Sequence, residues 1–229
     1  ARMSEFRLRV GFSKLDRAAL LSHLELLHAI ERIVRRAQLP YAITQGFHPH
    51  MKLAFGPALS VGVASTLEYA DVYLTEFVNP DVALARLRDA SPEALKVERV
   101  GYINPKEASL TASITILSYC ARVHALDIDA KEIEKCFSEL RKSDTLEVVQ
   151  KDKVKVFNPA LCIPNDAQVT KEGDSTHISF NLRISPSGSL RPETLLATVF
   201  EQAHAHYSHL TLTRTGLYSE SEEGLVPPL

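Results

Sequence analysis

The chain has 229 residues, 45% of them apolar and 24% charged, with a formal net charge of −2. That apolar share can build a core for one large domain or two small ones, and the charge excludes a generally basic nucleic-acid binder while leaving room for a local cationic patch. No stretch is long and apolar enough for a membrane span, and the start, ARMSEFRLRV, lacks the apolar run of a secretory signal.

In chain order, Phe6, Leu8, Val10 and Phe12 alternate with Arg7 and Arg9, the period of a half-buried strand. Leu24, Leu27, Ile30, Val34 and Ala37 then recur at helical spacing until Pro40 stops the pattern. Residues 41–55 and 66–76 read as strands joined by the Gly-rich and small-residue segment GPALSVGVAS. Pro80 opens a helix over 80–90, and LKVERVGYI reads as a closing strand. The second half repeats the order: an extended stretch over 110–123, a helix over 128–142, strands over 146–157 and 176–185, a helix over 191–205 opened by Pro192, and the strand HLTLTRTGLY. The segment NPALCIPNDAQVTKEGDST reads as a loop.

This predicts an α+β chain of two tandem ferredoxin-like halves, each βαββαβ with an antiparallel sheet, divided near Asn104–Pro105 into 1–105 and 106–229. Helices then cover one face of each sheet and leave the other open. The first half balances at +2 and the second at −4, which makes the first the better contact for an anion.

Strand parity in the first half sends Phe6, Leu8, Val10 and Phe12 toward the helices and Arg7 and Arg9 to the opposite face. In FHPHMKLAF, Phe47, Met51, Leu53 and Phe55 take the apolar side, and His48, His50 and Lys52 share the open side. Tyr69, Asp71 and Tyr73 join them from the next strand. Such a surface can pair with phosphates and stack bases; it is equally an ordinary solvated face, or one covered by the second half. His28, Arg32, Arg35 and Arg36 form a basic flank on the first helix, able to track a phosphate backbone or simply to face water. Ser22-His23-Leu24-Glu25 has the form of a capping box. His23 falls on the apolar side of the helical wheel, the position of a core histidine.

His48-x-His50 on a strand could offer two imidazoles to a metal with His23 as a third ligand, but no carboxylate is placed to complete a set, and no metal is expected. Gly46 permits either close approach of a ligand or a bulge. The three cysteines, Cys120, Cys136 and Cys162, are odd in number and widely spaced. They fit reduced thiols in a cytoplasmic protein with no iron–sulfur or zinc cluster and no cofactor of its own. No nucleophile elbow, Walker loop, dinucleotide fingerprint or zincin motif occurs, which favours binding over catalysis.

Between Phe12 and Tyr69 one pattern ties these residues together: Lys14, SHLE at 22–25, RRAQLP at 35–40, TQGFHPHMK at 44–52 with Gln45 in it, Gly62, and Ser65 with Glu68. In order and spacing it resembles the radical SAM-linked proteins of unknown function. Arg191-Pro192-Glu193 and Arg214-Thr215 extend the likeness. Glu25, His48 and Met51 stand where that family has Asp, Asn and Pro, and Val156-Phe157-Asn158-Pro159 replaces its D-[IL]-R-P segment. The resemblance implies work beside a radical SAM enzyme and, through the genes such proteins accompany, a link to RNA; it implies no activity for the domain itself.

The expected function is an accessory module that presents a substrate, RNA, to a radical SAM partner. Arg7, Arg9, Arg35, Arg36, Gln45, His48, His50, Lys52 and Tyr69 would hold the substrate. Two alternatives stand beside it: a docking module for that partner without nucleic-acid binding, and a hydrolase or transferase using His23 with His48 or His50. Neither involves a membrane.

Overall fold

A computed structural model of the chain describes residues 5–124, 128–150, 153–185 and 188–229. They form an α+β fold in two compact units, Ala1–Ile114 with Gly216–Leu229, and Thr115–Thr215. The sequence places the division near Asn104–Pro105; the units part at Ile114/Thr115, and the last segment of the chain belongs with the first unit. No helix among the described residues is long and apolar enough to cross a membrane.

The first unit contains β1 (Phe6–Lys14), α1 (His23–Arg36), β2 (Leu53–Phe55), β3 (Ala64–Leu74), α2 (Pro80–Ala90), β4 (Val97–Ile103) and the short α3 (Leu110–Ser113). β1 pairs antiparallel with β3 on one side and β4 on the other, and β2 pairs with β3, so the strands lie in the order β4-β1-β3-β2. The register sets Leu8 opposite Val72 and Val10 opposite Ala70, which puts the apolar set of both strands on one face. There they pack with Leu26, Ile30, Ile33 and Val34 of α1 and Ala83 and Leu87 of α2. Each fully buried Leu, Ile or Val stabilises by about 1.5–3 kcal/mol. A one-residue slip would turn the whole set to water, so the alternation of β1 enforces this register.

α1 begins as its sequence signals. The Ser22 side chain accepts from the Glu25 N–H, and the Glu25 carboxylate accepts from the Ser22 N–H at 2.8 Å, completing the capping box. It ends where Gln38 adopts a left-handed backbone (φ 52°) and the Leu39 N–H turns back to the Val34 carbonyl, satisfying carbonyls that the helix leaves bare. α2 starts on Pro80, with the Asn79 side chain accepting from the Asp81 N–H at 2.9 Å. The course of the chain and the facing of α1 depart from expectation at two points. Residues 41–55 are not one strand: only Leu53–Phe55 pairs as such, and Tyr41 and Ile43 form isolated bridges to Leu74 and Met51. Leu24, assigned to the apolar stripe of α1, is 62% exposed.

The second unit contains β5 (Ile116–His124), α4 (Ala130–Lys142), β6 (Leu146–Gln150), β7 (Lys153–Phe157), α5 (Pro159–Cys162), β8 (Gln168–Glu172), β9 (Ser175–Arg183), α6 (Pro192–Gln202) and, through Thr215, β10 (His209–Ser221). Its strands lie in the order β10-β5-β9-β8. Tyr119 and Phe180 stack across β5 and β9 with ring centroids 5.7 Å apart, and Phe137 of α4 meets Phe180 at 5.6 Å. Beyond Thr215, β10 runs into the first unit and pairs with β11 (Gly224–Val226).

Here too the structure corrects the reading. Leu146–Gln150 and Lys153–Phe157 pair with each other as a two-stranded sheet of their own, and the larger sheet's edge strand, β8, falls inside the segment read as loop. β8 carries Gln, Thr, Lys and Glu around a single Val, with mostly exposed side chains. A polar edge strand that buries little shows no alternation to detect, whereas the apolar pair β6 and β7 shows a strong one.

Candidate functional site

The parity of β1 holds, but the face behind it is closed. Arg7 and Arg9 point away from the helices, as expected, yet they are only 4% and 3% exposed. Between them lies Asp71, fully buried, whose carboxylate accepts from Arg7 Nε at 2.8 Å and from Arg9 Nε and Nη2 at 2.7 and 3.0 Å. Arg7 donates its remaining bonds to the carbonyls of Glu107 and Ala108, and Arg9 donates to that of Pro228. Their donors are thus committed to the protein, and neither is the free phosphate contact expected of it. The reason is that segments 104–109 and 224–229 fold across this face and supply carbonyls to the guanidinium forks.

Tyr69 is likewise buried, at 2% exposure, and among the described residues no donor or acceptor meets its hydroxyl in good hydrogen-bond geometry, although Arg99 lies near it. Burial pushes its phenol above the ordinary value, and nearby Arg99 opposes that push. Gly11 makes the packing possible: a Cβ there would stand 2.7 Å from Arg99 Cγ and 3.2 Å from the Tyr69 ring. The ring that was to stack a base is therefore a wall of the core.

What remains open is the TQGFHPHMK loop. Its base is drawn shut by the Ala42 N–H to the Tyr73 carbonyl, the Lys52 N–H to the Ala42 carbonyl, and the Thr44 N–H to the His50 carbonyl at 2.8 Å. Inside it the His50 N–H donates to Thr44 Oγ1, and His50 Nδ1 lies 3.1 Å from both Thr44 Oγ1 and the His48 carbonyl. Gly46, at φ 145°, makes the turn that most residues resist. The tip then carries Gln45, Phe47, His48 and His50 into solvent. Phe47, expected on the apolar side, is 102% exposed, and Ile43 beside the loop is 52% exposed. His48 and His50 belong to this loop and not to a strand.

Beside the loop is a cavity of about 920 Å³, bordered by Gln45, Lys52, Tyr41, Tyr73 and Arg7. The Lys52 ammonium is paired with Glu5 and sits 4.5 Å from the centroid of the Tyr73 ring. The Glu5 carboxylate and the ring face together fix where the ammonium sits at the border of the cavity. Gln45, Lys52, His48 and His50 are thus brought to one side of the unit; Arg7 borders the cavity but is buried, as are Arg9 and Tyr69. Tyr41 was missed; its signal was the position just after Pro40, where the chain must leave the helix.

The helix flank is a separate surface. Arg35 and Arg36 are exposed near the end of α1, and Arg36 borders a shallower cavity with Gln38, Arg86 and Asp89. α1 packs on the opposite face of the sheet from Arg7 and Tyr73, so these arginines do not share a surface with Lys52. His23, read as a core histidine, is exposed and meets the Phe55 ring edge-on at 5.4 Å. Among the described residues no three His, Cys, Asp or Glu side chains are grouped to hold a metal. Burial pushes the Cys136 and Cys162 thiols up, away from reactive thiolate.

The remaining pattern residues have a structural explanation. Lys14 is 1% exposed and donates to the Ala19 carbonyl at 3.2 Å, and the Gly62 N–H donates to the same carbonyl at 2.8 Å. Gly62 holds φ 89° to do so. Together they pin the turn that leads into α1; Ser65 and Glu68 are buried on the neighbouring strand.

A family model described as an uncharacterized protein conserved in bacteria, DUF2344, matches residues 7–192. No curated protein matches the chain. Among solved structures, a chain of a Cbf5-Nop10-Gar1 complex is similar at 13% identity and a TM-score of 0.45, over 94% of this chain and 50% of that one. The present chain thus spans half the length of the chain it matches.

Proposed function

Because the chain belongs to the DUF2344 family, described only as uncharacterized and conserved in bacteria, we propose its function from the loop and its cavity: an accessory module that holds RNA for a radical SAM partner. The pattern from Lys14 to Glu68 supports the partner. Each unit is read here as a ferredoxin-like half, supported by the orders β4-β1-β3-β2 and β10-β5-β9-β8.

One observation carries the ligand. Phe47 stands wholly in water at the tip of a loop braced by Thr44 and His50. Burying such a ring would stabilise the chain by about 1.5–3 kcal/mol, and the ring, with the exposed Ile43 beside the loop, leaves apolar surface available to a ligand. A base can stack on it, with His48 and His50 beside it and Lys52 at the cavity facing the backbone. Phe47→Ala should weaken binding of a labelled single-stranded RNA by about 1–3 kcal/mol. Unchanged affinity would remove the loop from the reading.

A second reading, docking of the protein partner, draws on the exposed Ile43 next to Phe47. It expects binding that Phe47→Ala weakens but salt does not, whereas RNA binding falls steeply with salt.

A further inference from the structure

In the second unit, the sheet face turned away from the helices is open, unlike its counterpart in the first. Tyr119, Ala121 and Val123 of β5 and Ile178, Phe180 and Leu182 of β9 are buried toward the helices. The alternating residues therefore form the other face, and the antiparallel register lines them up in rows. His124 stands opposite Ser175, Arg122 opposite His177, and Cys120 opposite Ser179; β8 adds Thr170 opposite His177 and Glu172 opposite Ser175. His209 of β10 brings its ring to 6.3 Å from that of His124.

The contacts across these rows are polar; Arg122 and Ser179 are exposed, His124 and His177 half-buried, and Ser175 buried between them. Arg122 Nε donates to Ser175 Oγ at 3.2 Å and the residue remains exposed. Ser175 Oγ lies 3.3 Å from His124 Nδ1, and His177 Nε2 lies 3.6 Å from Glu172. At the far end Ser118 donates to Asn181 at 2.6 Å, and Arg183 donates to the Leu161 carbonyl. None of the exposed large apolar side chains among the described residues lies on β5, β8 or β9. A protein partner would need such side chains at the centre of its interface. The face instead offers the Arg122 guanidinium, three imidazoles, hydroxyls and an amide, set among the described strand residues against the carboxylate of Glu172, while Arg183 is held by the Leu161 carbonyl.

We propose that this face is a second RNA-binding surface, with Arg122 meeting a phosphate and His124, His177 and His209 meeting bases or sugar hydroxyls. The nine residues of β5 make it roughly 30 Å long, enough for an extended single strand to lie along it. The inference rests on the preceding reading only for the class of ligand, since no residue is shared between the two sites.

The test is fluorescence anisotropy of the full chain with a fluorescein-labelled, mixed-sequence single-stranded RNA, titrated at several salt concentrations. Arg122→Ala with His177→Ala should raise Kd roughly tenfold or more and flatten the salt slope by about one unit, one phosphate contact being lost. Arg122→Lys should retain most of the affinity. Ser179→Glu, at an exposed position mid-face, should weaken binding without disturbing the core, and so provides a second test if the double variant fails to fold. Loss in these variants with Phe47→Ala unaffected upholds this surface and sinks the loop. Loss in Phe47→Ala alone does the reverse. No binding by the unaltered chain even at low salt overturns both.

Discussion

Asp71→Ala probes the closed face of the first unit most directly. Asp71 is fully buried and accepts three hydrogen bonds from Arg7 and Arg9, themselves 4% and 3% exposed. Removing one partner of a buried charge pair costs about 3–5 kcal/mol, chiefly because the other charge stays desolvated and uncompensated. Here two guanidiniums are left facing each other, so the cost belongs at the upper end of that range. In a chain of this length each kcal/mol lowers Tm by about 2–4 °C, predicting a fall of roughly 10–20 °C. Urea titration followed by circular dichroism would measure it, with Asp71→Asn as the variant that keeps shape and loses charge. Arg9→Ala combined with Asp71→Ala should cost less than the sum of the two, since they share one interaction. A loss below about 1 kcal/mol at unchanged m-value would mean that Arg7 and Arg9 are solvated, and the face would return as an RNA surface.

Tyr69→Phe should be within about 1 kcal/mol of the parent or more stable, because an unpaired buried hydroxyl forfeits its hydration for no bond. A clear loss in thermal melts would show the hydroxyl to be bonded. The raised phenol of Tyr69 makes its contribution to stability complete below its ordinary value of 10.0 and lost as pH climbs above it; the Phe variant should lack that alkaline decline. Ser22→Ala should cost about 1 kcal/mol in chemical denaturation through loss of the cap. Glu25 is held below its ordinary 4.5, first by the Ser22 backbone and then by its side chain. The stability it adds is present above pH 4.5 and disappears as pH falls through the lowered value, so Glu25→Gln should flatten that part of the acid profile. Iodoacetamide at neutral pH should leave Cys136 and Cys162 unmodified in the native protein and label both in urea, read by peptide mass spectrometry; prompt native labelling would contradict their burial.

The sequence by itself determined whatever a few neighbouring residues decide. The alternation around Leu8 and Val10, the capping box at Ser22, and Pro80 at the head of α2 all became the elements they signal, because periodicity and caps act within one or two turns of chain. The side to which Arg7 and Arg9 point was legible for the same reason. Whether that side is open was not. Arg7 is closed off by Asp71, 64 residues away, and by carbonyls about 100 away, and Arg9 by the Pro228 carbonyl, 219 away; nothing in the local pattern encodes a segment that returns from so far. The same holds for β8, a polar edge strand that is a strand only because β9 offers it hydrogen bonds, and for Phe47, whose apolar character pointed inward until the closure of Thr44 on His50 turned its loop out to water. Local interactions select the elements and their faces; the tertiary structure decides which faces are covered, and so where a ligand can be met.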